Sequence, residues 1–207
     1  MLYSELQCSP AIHQAVERMG FAEMTEIQEK TIPVMMAGHD VIAKAPTGTG
    51  KTCAFGIPVA EHILPENKYP QAVIMAPTRE LAQQIAQELE ELTYFMPEVQ
   101  VACVYGGANM EKQAKRLAEG CQIVVATPGR LMDHYKHHSI DISHVTQIVL
   151  DEADEMLNMG FYKDVRHIIE MMKARKSLSM FSATISREVM DIGWLYQHNA
   201  EEITVQP

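Results

Sequence analysis

Short apolar runs recur along the chain, separated by longer stretches in which apolar residues return every three or four positions. The runs are DVIAKA (40–45), QAVIMA (71–76), VQVACVY (99–105), CQIVVAT (121–127), QIVL (147–150) and SLSMFS (177–182), with a strand-like EEITVQ at 201–206. Between them, Leu81, Ile85, Leu89 and Leu92 fall on one helical face, as do Phe161, Val165, Ile168, Ile169 and Met172. Ile12, Val16 and Met19 mark an earlier helix. Apolar strands alternating with amphipathic helices predict an α/β fold, a mostly parallel sheet covered by helices on both faces.

The strand ends carry more information than the strands. Three runs close on a small residue followed by proline: Ala45-Pro46, Ala76-Pro77 and Thr127-Pro128. Proline lacks the N–H that a ladder needs, so each strand stops there. Two others run into polar clusters, Asp151-Glu152 and Ser182-Ala183-Thr184. Open parallel sheets bind ligands beyond the carboxyl ends of their strands, so these clusters converge on one edge.

Composition narrows the choice of partner. The 207 residues suit one domain, and no repeat, low-complexity tract or long linker divides them. The net charge of −10 argues against a broad polyanion-binding face, so any nucleic acid must be held by a local patch. The basic cluster Lys112, Lys115 and Arg116 reads as a solvated helix face. No signal peptide and no bilayer-length apolar run are found. The four cysteines form no CxxC pair, which favours reduced thiols and a cytoplasmic location. The nine histidines show no ligand spacing, and the fifteen methionines read as core packing.

Candidate chemistry starts with APTGTGKT (45–52). Strand DVIAKA leads into it and the helical TCAFGIPVAEHI leads out, the context of a phosphate loop of the GxxxxGK[ST] type. There, backbone N–H groups curl around phosphate oxygens at a helix N-terminus. Thr47, Gly48, Thr49 and Gly50 would form the cradle, Lys51 would reach the β- and γ-phosphates, and Thr52 would hold Mg²⁺. Ala45 replaces the first glycine, which a strand-to-loop exit tolerates. In DEAD (151–154), Asp151 can supply a second hard oxygen, contacting the metal through water, and Glu152 can orient or deprotonate the attacking water.

With these residues placed, the chain resembles the DEAD-box ATP-dependent RNA helicases of bacterial type, and within them the N-terminal RecA-like domain. GFAEMTEIQ (20–28) resembles the adenine-reading Q motif, making residues 1–38 a Q-motif region and 39–207 the P-loop core. Met24 stands where the family usually has proline, and Tyr3 where a phenylalanine is usual. Gln28 can donate and accept in one plane and so pair with adenine N6 and N7. The resemblance implies that Phe21 stacks on the base. It also implies RNA contacts from PTRELA (Pro77, Thr78, Arg79), from Gly106 and Gly107, and from TPGR (Thr127, Pro128, Gly129, Arg130). Such contacts to phosphates and 2′-hydroxyls would be independent of base sequence. Hydrogen bonds from SAT (Ser182, Thr184) to the DEAD segment at Asp154 would couple the two sites.

The function implied is ATP-dependent RNA unwinding, with ATP, Mg²⁺ and RNA held between this domain and a second RecA-like domain of the same polypeptide. The isolated domain is expected to be monomeric and nearly inactive. The rival readings are a P-loop motor acting on DNA and a non-catalytic, ATP-gated RNA clamp.

Overall fold

The computed structural model describes residues 1–46 and 50–206. Each apolar run forms a strand: β1 (Val41–Lys44), β2 (Ala72–Met75), β3 (Val101–Val104), β4 (Ile123–Ala126), β5 (Gln147–Asp151) and β6 (Ser177–Ser182). The strand-like segment near the end forms β7 (Glu201–Thr204). They make one sheet in the order β3-β4-β2-β5-β6-β1-β7, with every pairing parallel. The central strands β2, β4 and β5 are buried at every position, as strands covered on both faces must be.

Alternate strand residues feed two cores. On one face, Val41, Ile74, Val125 and Phe181 pack against α1 (Pro10–Arg18), α2 (Glu26–Met36), α3 (Lys51–Glu61) and α4 (Arg79–Leu92). Phe55 of α3 and Phe181 of β6 are both fully buried, their ring centroids 5.3 Å apart. On the other face, Val73, Val124, Leu150 and Met180 pack against residues from α5 (Met110–Ala118), α6 (Pro128–Lys136), the short α7 (Ala153–Met156), α8 (Tyr162–Met171) and α9 (Arg187–Tyr196).

Strand limits differ from the sequence expectation for stated reasons. Strand β1 begins at Val41 because Asp40 turns its carboxylate inward, accepting from the Leu178 and His198 N–H groups at 3.0 and 2.8 Å. The expected solvated cluster on α5 divides. Lys112 and Lys115 are exposed, but the Arg116 guanidinium donates to the carbonyls of Gly120 and Val101 and ties α5 to β3.

The segment before α2 is pinned by the start of the chain. Leu2 bridges to Glu23, and the Tyr3 N–H donates to the Ala22 carbonyl at 2.9 Å. All four cysteines are free, Cys53 and Cys121 being buried. Among the described residues, no helix is long and apolar enough to cross a membrane.

Candidate nucleotide and nucleic-acid site

Strand order brings the chemistry-bearing loops together. The nucleotide candidates follow β5, β6 and β1, which are consecutive in the sheet; the nucleic-acid candidates follow β3, β4 and β2, consecutive beside them.

Ala45 extends the ladder beyond β1, its N–H donating to the Ser182 carbonyl at 2.9 Å, and it is 1% exposed within the core. A methyl group is therefore seated at the position where other phosphate loops carry glycine. Thr47, Gly48 and Thr49 lie outside the described residues. Gly50 caps α3 in the left-handed region (φ 82°), and Lys51 is the first helical residue. Lys51 is nearly buried, with Nζ 3.4 Å from Oδ1 of Asp151. That contact joins the start of α3 to the end of β5 across the end of β6. Thr52, next on α3, hydrogen-bonds through its side chain to Glu88 of α4. Thr52 and Asp151 carry hard oxygens of the kind a small divalent cation takes, on the helix and the strand that the Lys51–Asp151 contact joins. Among the described residues, no group of three or more His, Cys, Asp or Glu is placed to hold a metal ion.

The acids differ in environment. Burial raises the Asp151 carboxyl above its ordinary range, while the Lys51 ammonium and the Glu152 N–H pull it back. Glu152 sits in the left-handed region (φ 48°, ψ 51°), an uncommon and costly conformation for a non-glycine residue. Desolvation raises its carboxyl as well, against the pull of Lys51. Asp154 moves the other way. Burial would raise it, but hydrogen bonds from the Thr184 hydroxyl and from backbone N–H groups hold it below the usual range. Its Oδ2 accepts from the Thr184 hydroxyl at 2.7 Å and from the Thr184 N–H at 3.1 Å. The Asp154 N–H donates to Ser182 Oγ at 3.0 Å, and the Ser182 hydroxyl donates to the Thr184 carbonyl at 2.7 Å. The ends of β5 and β6 are thus joined by side chains as well as by the ladder.

Gln28 is buried, at 4% exposure, on the first turn of α2. Its Nε2 donates to the Gly50 carbonyl at 3.1 Å, and its Oε1 accepts from the Thr25 N–H at 3.0 Å and from the Tyr3 hydroxyl. A Cβ added to Gly50 would lie 2.6 Å from Gln28 Nε2. Phe21 is no core aromatic: it is 43% exposed, roughly parallel to Tyr3 at a centroid distance of 6.3 Å.

The nucleic-acid candidates are unequal. Gly106, Gly107 and Arg79 are exposed, and Arg79 lies over the Tyr105 ring at 4.7 Å. Gly107 has φ 82°, a conformation that glycine adopts freely. Thr78 caps α4, its hydroxyl accepting from the Leu81 N–H at 3.2 Å. Pro77, Thr127 and Pro128 are buried and Gly129 is half-buried, so contacts there would come from backbone or chain edges. Arg130 is held inward: its guanidinium donates to the Ala108 carbonyl at 3.0 Å and to Gln113 at 3.1 Å, and faces Asp133 at 3.7 Å.

Two participants carried no sequence signal, and a third carried one that did not show its partner. Glu88, bonded to Thr52, sits among polar positions of a helix whose apolar stripe drew the attention. Gln113 is buried and accepts from Arg130 while contacting His134 at 3.0 Å, which places Arg130 within a buried network. Tyr3 itself was marked in the sequence, at a position where the family usually has phenylalanine, but its hydroxyl bond to Gln28, across 25 residues, is a link that only the fold creates.

Comparison with known proteins adds the following. Residues 25–192 match the family model described as DEAD/DEAH box helicase. The chain is 45% identical over 206 residues to the ATP-dependent RNA helicase CshA of Limosilactobacillus reuteri, covering all of this chain and 41% of that protein. It is 41% identical over 202 residues to the ATP-dependent RNA helicase DeaD of Mycobacterium tuberculosis, covering 98% and 36%. Among solved structures, a DEAD box protein from the hyperthermophile Methanococcus jannaschii superposes with a TM-score of 0.91 at 39% identity, over the whole of this chain and 56% of the other. A hypothetical ATP-dependent RNA helicase from Sulfolobus tokodaii gives 0.87 at 40% identity, covering 94% and 56%. The chain thus spans about two fifths of the length of the curated relatives it matches.

Proposed function

Since the chain belongs to the DEAD/DEAH box helicase family, we propose that it is the ATP-binding, N-terminal RecA-like domain of an RNA helicase. In this reading the full-length protein couples ATP binding and hydrolysis to RNA binding and local duplex unwinding. The observation that carries the reading is the Lys51–Asp151 contact of 3.4 Å, which sets the cation of the phosphate loop against the acids of DEAD. Each half alone is a common feature of α/β proteins; joined, they form a site for a triphosphate.

The residues divide the work. Residues 47–50 would wrap the phosphates with N–H groups, Lys51 would neutralise the β- and γ-oxygens, and Gln28 with Phe21 would hold the base. Thr52 and Asp151 would hold Mg²⁺, which would neutralise charge on the phosphates during transfer. Glu152, its carboxyl raised by desolvation, would accept a proton from the attacking water or orient it. Backbone groups at Gly106, Gly107 and Gly129, with the exposed Arg79, would meet the RNA backbone. Asp154, Ser182 and Thr184 would link the two sites, and the hydrogen bonds across β5 and β6 support that role.

RNA and ATP would lie between this domain and a second RecA-like domain in the longer protein. An arginine supplied to the transferring phosphate is worth about 10³–10⁵ in rate in related phosphoryl-transfer enzymes. These 207 residues alone are therefore expected to bind ATP weakly and hydrolyse it very slowly. The test uses the full-length protein: ATP turnover with RNA and with DNA of the same sequence, for the native protein, Lys51→Ala and Glu152→Gln. RNA should stimulate and DNA should not. Lys51→Ala should lose at least about tenfold in ATP affinity, and Glu152→Gln should bind ATP but fail to turn over. Equal stimulation by DNA, or unchanged affinity in Lys51→Ala, would sink the reading. A non-catalytic clamp would instead leave function intact in Glu152→Gln.

A further inference from the structure

The Gln28 carboxamide has a countable number of places for a base. Its oxygen has two lone pairs, and both are filled, one by the Thr25 N–H and one by the Tyr3 hydroxyl. Its nitrogen has two protons, of which one goes to the Gly50 carbonyl. A single N–H is left over. Adenine and guanine both accept at N7, so that N–H cannot tell them apart. Discrimination requires the oxygen, which would accept from the 6-amino group of adenine and repel the 6-oxo group of guanine.

The two groups on that oxygen are not equally replaceable. The Thr25 N–H belongs to the backbone at the start of α2 and is fixed there. The Tyr3 hydroxyl turns about one bond and hydrogen-bonds, among the described contacts, to Gln28 alone. Its ring is 4% exposed, held beside Phe21 and on backbone that pairs with Ala22, so the hydroxyl remains near the oxygen.

We propose that Tyr3 is a specificity-determining residue whose hydroxyl competes with the 6-amino group of a purine nucleotide for the Gln28 oxygen, lowering the preference for ATP over nucleotides without that donor. The proposal rests on the reading of Gln28 as a base-binding residue. Phenylalanine at position 3 would keep the ring and its packing while freeing one lone pair. No polar group would be orphaned, because the Gln28 oxygen keeps its bond from Thr25.

The test is equilibrium binding of ATP, GTP and purine riboside triphosphate, which lacks any 6-substituent, with Mg²⁺ present. The proteins are the native chain, Tyr3→Phe and Gln28→Ala, with thermal melts as the check on folding. Tyr3→Phe should bind ATP about 5- to 10-fold more tightly, one regained hydrogen bond, with the other two nucleotides unchanged. The native chain should separate ATP from purine riboside triphosphate by less than about threefold, a measurement that needs no variant. Unchanged or weakened ATP binding in a folded Tyr3→Phe overturns the proposal, as does a large native preference for ATP over purine riboside triphosphate. Gln28→Ala separates the two failures. If it removes the remaining ATP-over-GTP preference while Tyr3→Phe does nothing, only the proposal falls. If it leaves all three affinities untouched, the reading of Gln28 falls and the proposal with it.

Discussion

At the scale of single residues, the site is held by positions that tolerate little. Gly50 combines a left-handed backbone with a Cβ direction that meets Gln28 at 2.6 Å and Thr25 at 3.1 Å. Gly50→Ala should therefore cost about 1–3 kcal/mol of stability, or displace Gln28 and weaken ATP binding; denaturant melts and nucleotide titration read the two outcomes. Titration separates the acids. The Glu152 carboxyl is raised, so hydrolysis that needs it ionised should fall with decreasing pH while an ordinary glutamate would still be charged. A single-turnover pH profile of the full-length protein measures this. Asp154 is lowered, so it contributes stability that is present above the unfolded value and lost as pH falls through its folded value. In Asp154→Asn the acid limb of melting temperature against pH should flatten.

Between elements, the joint from β5 to β6 carries both packing and polarity. Thr184→Val deletes a hydroxyl donor to a carboxylate and should cost about 1.5–3 kcal/mol, measured by chemical denaturation. Phe181→Ala, on the covered side of β6 against Phe55, should cost about 3–5 kcal/mol. The strands were legible in the sequence because a doubly covered parallel sheet writes them as unbroken apolar runs, and proline marked three of their ends. Helix α9 was not: its apolar stripe is interrupted by Gly193 and it exposes Trp194 at 83%, a pattern that does not announce an amphipathic face. The Lys51 and Asp151 pair was legible because both sit in motifs tied to strand ends. The inward turn of Arg130 was not, since it depends on Gln113 of α5, a polar residue whose burial no local pattern foretells.

For the molecule as a whole, the sheet is a row with two compartments along its carboxyl edge. Candidates for nucleic acid occupy β3, β4 and β2, and candidates for the nucleotide occupy β5, β6 and β1. The compartments meet where β2 pairs with β5, in register from Ala72 opposite Gln147 to Met75 opposite Leu150. Adjacent strands lie about 4.8 Å apart. A displacement at the acids would have only one rung of the ladder to cross before it reached the loop that begins at Pro77. Any coupling between the two compartments would then have a path one strand spacing wide, beside the hydrogen bond that Asp154 makes to β6.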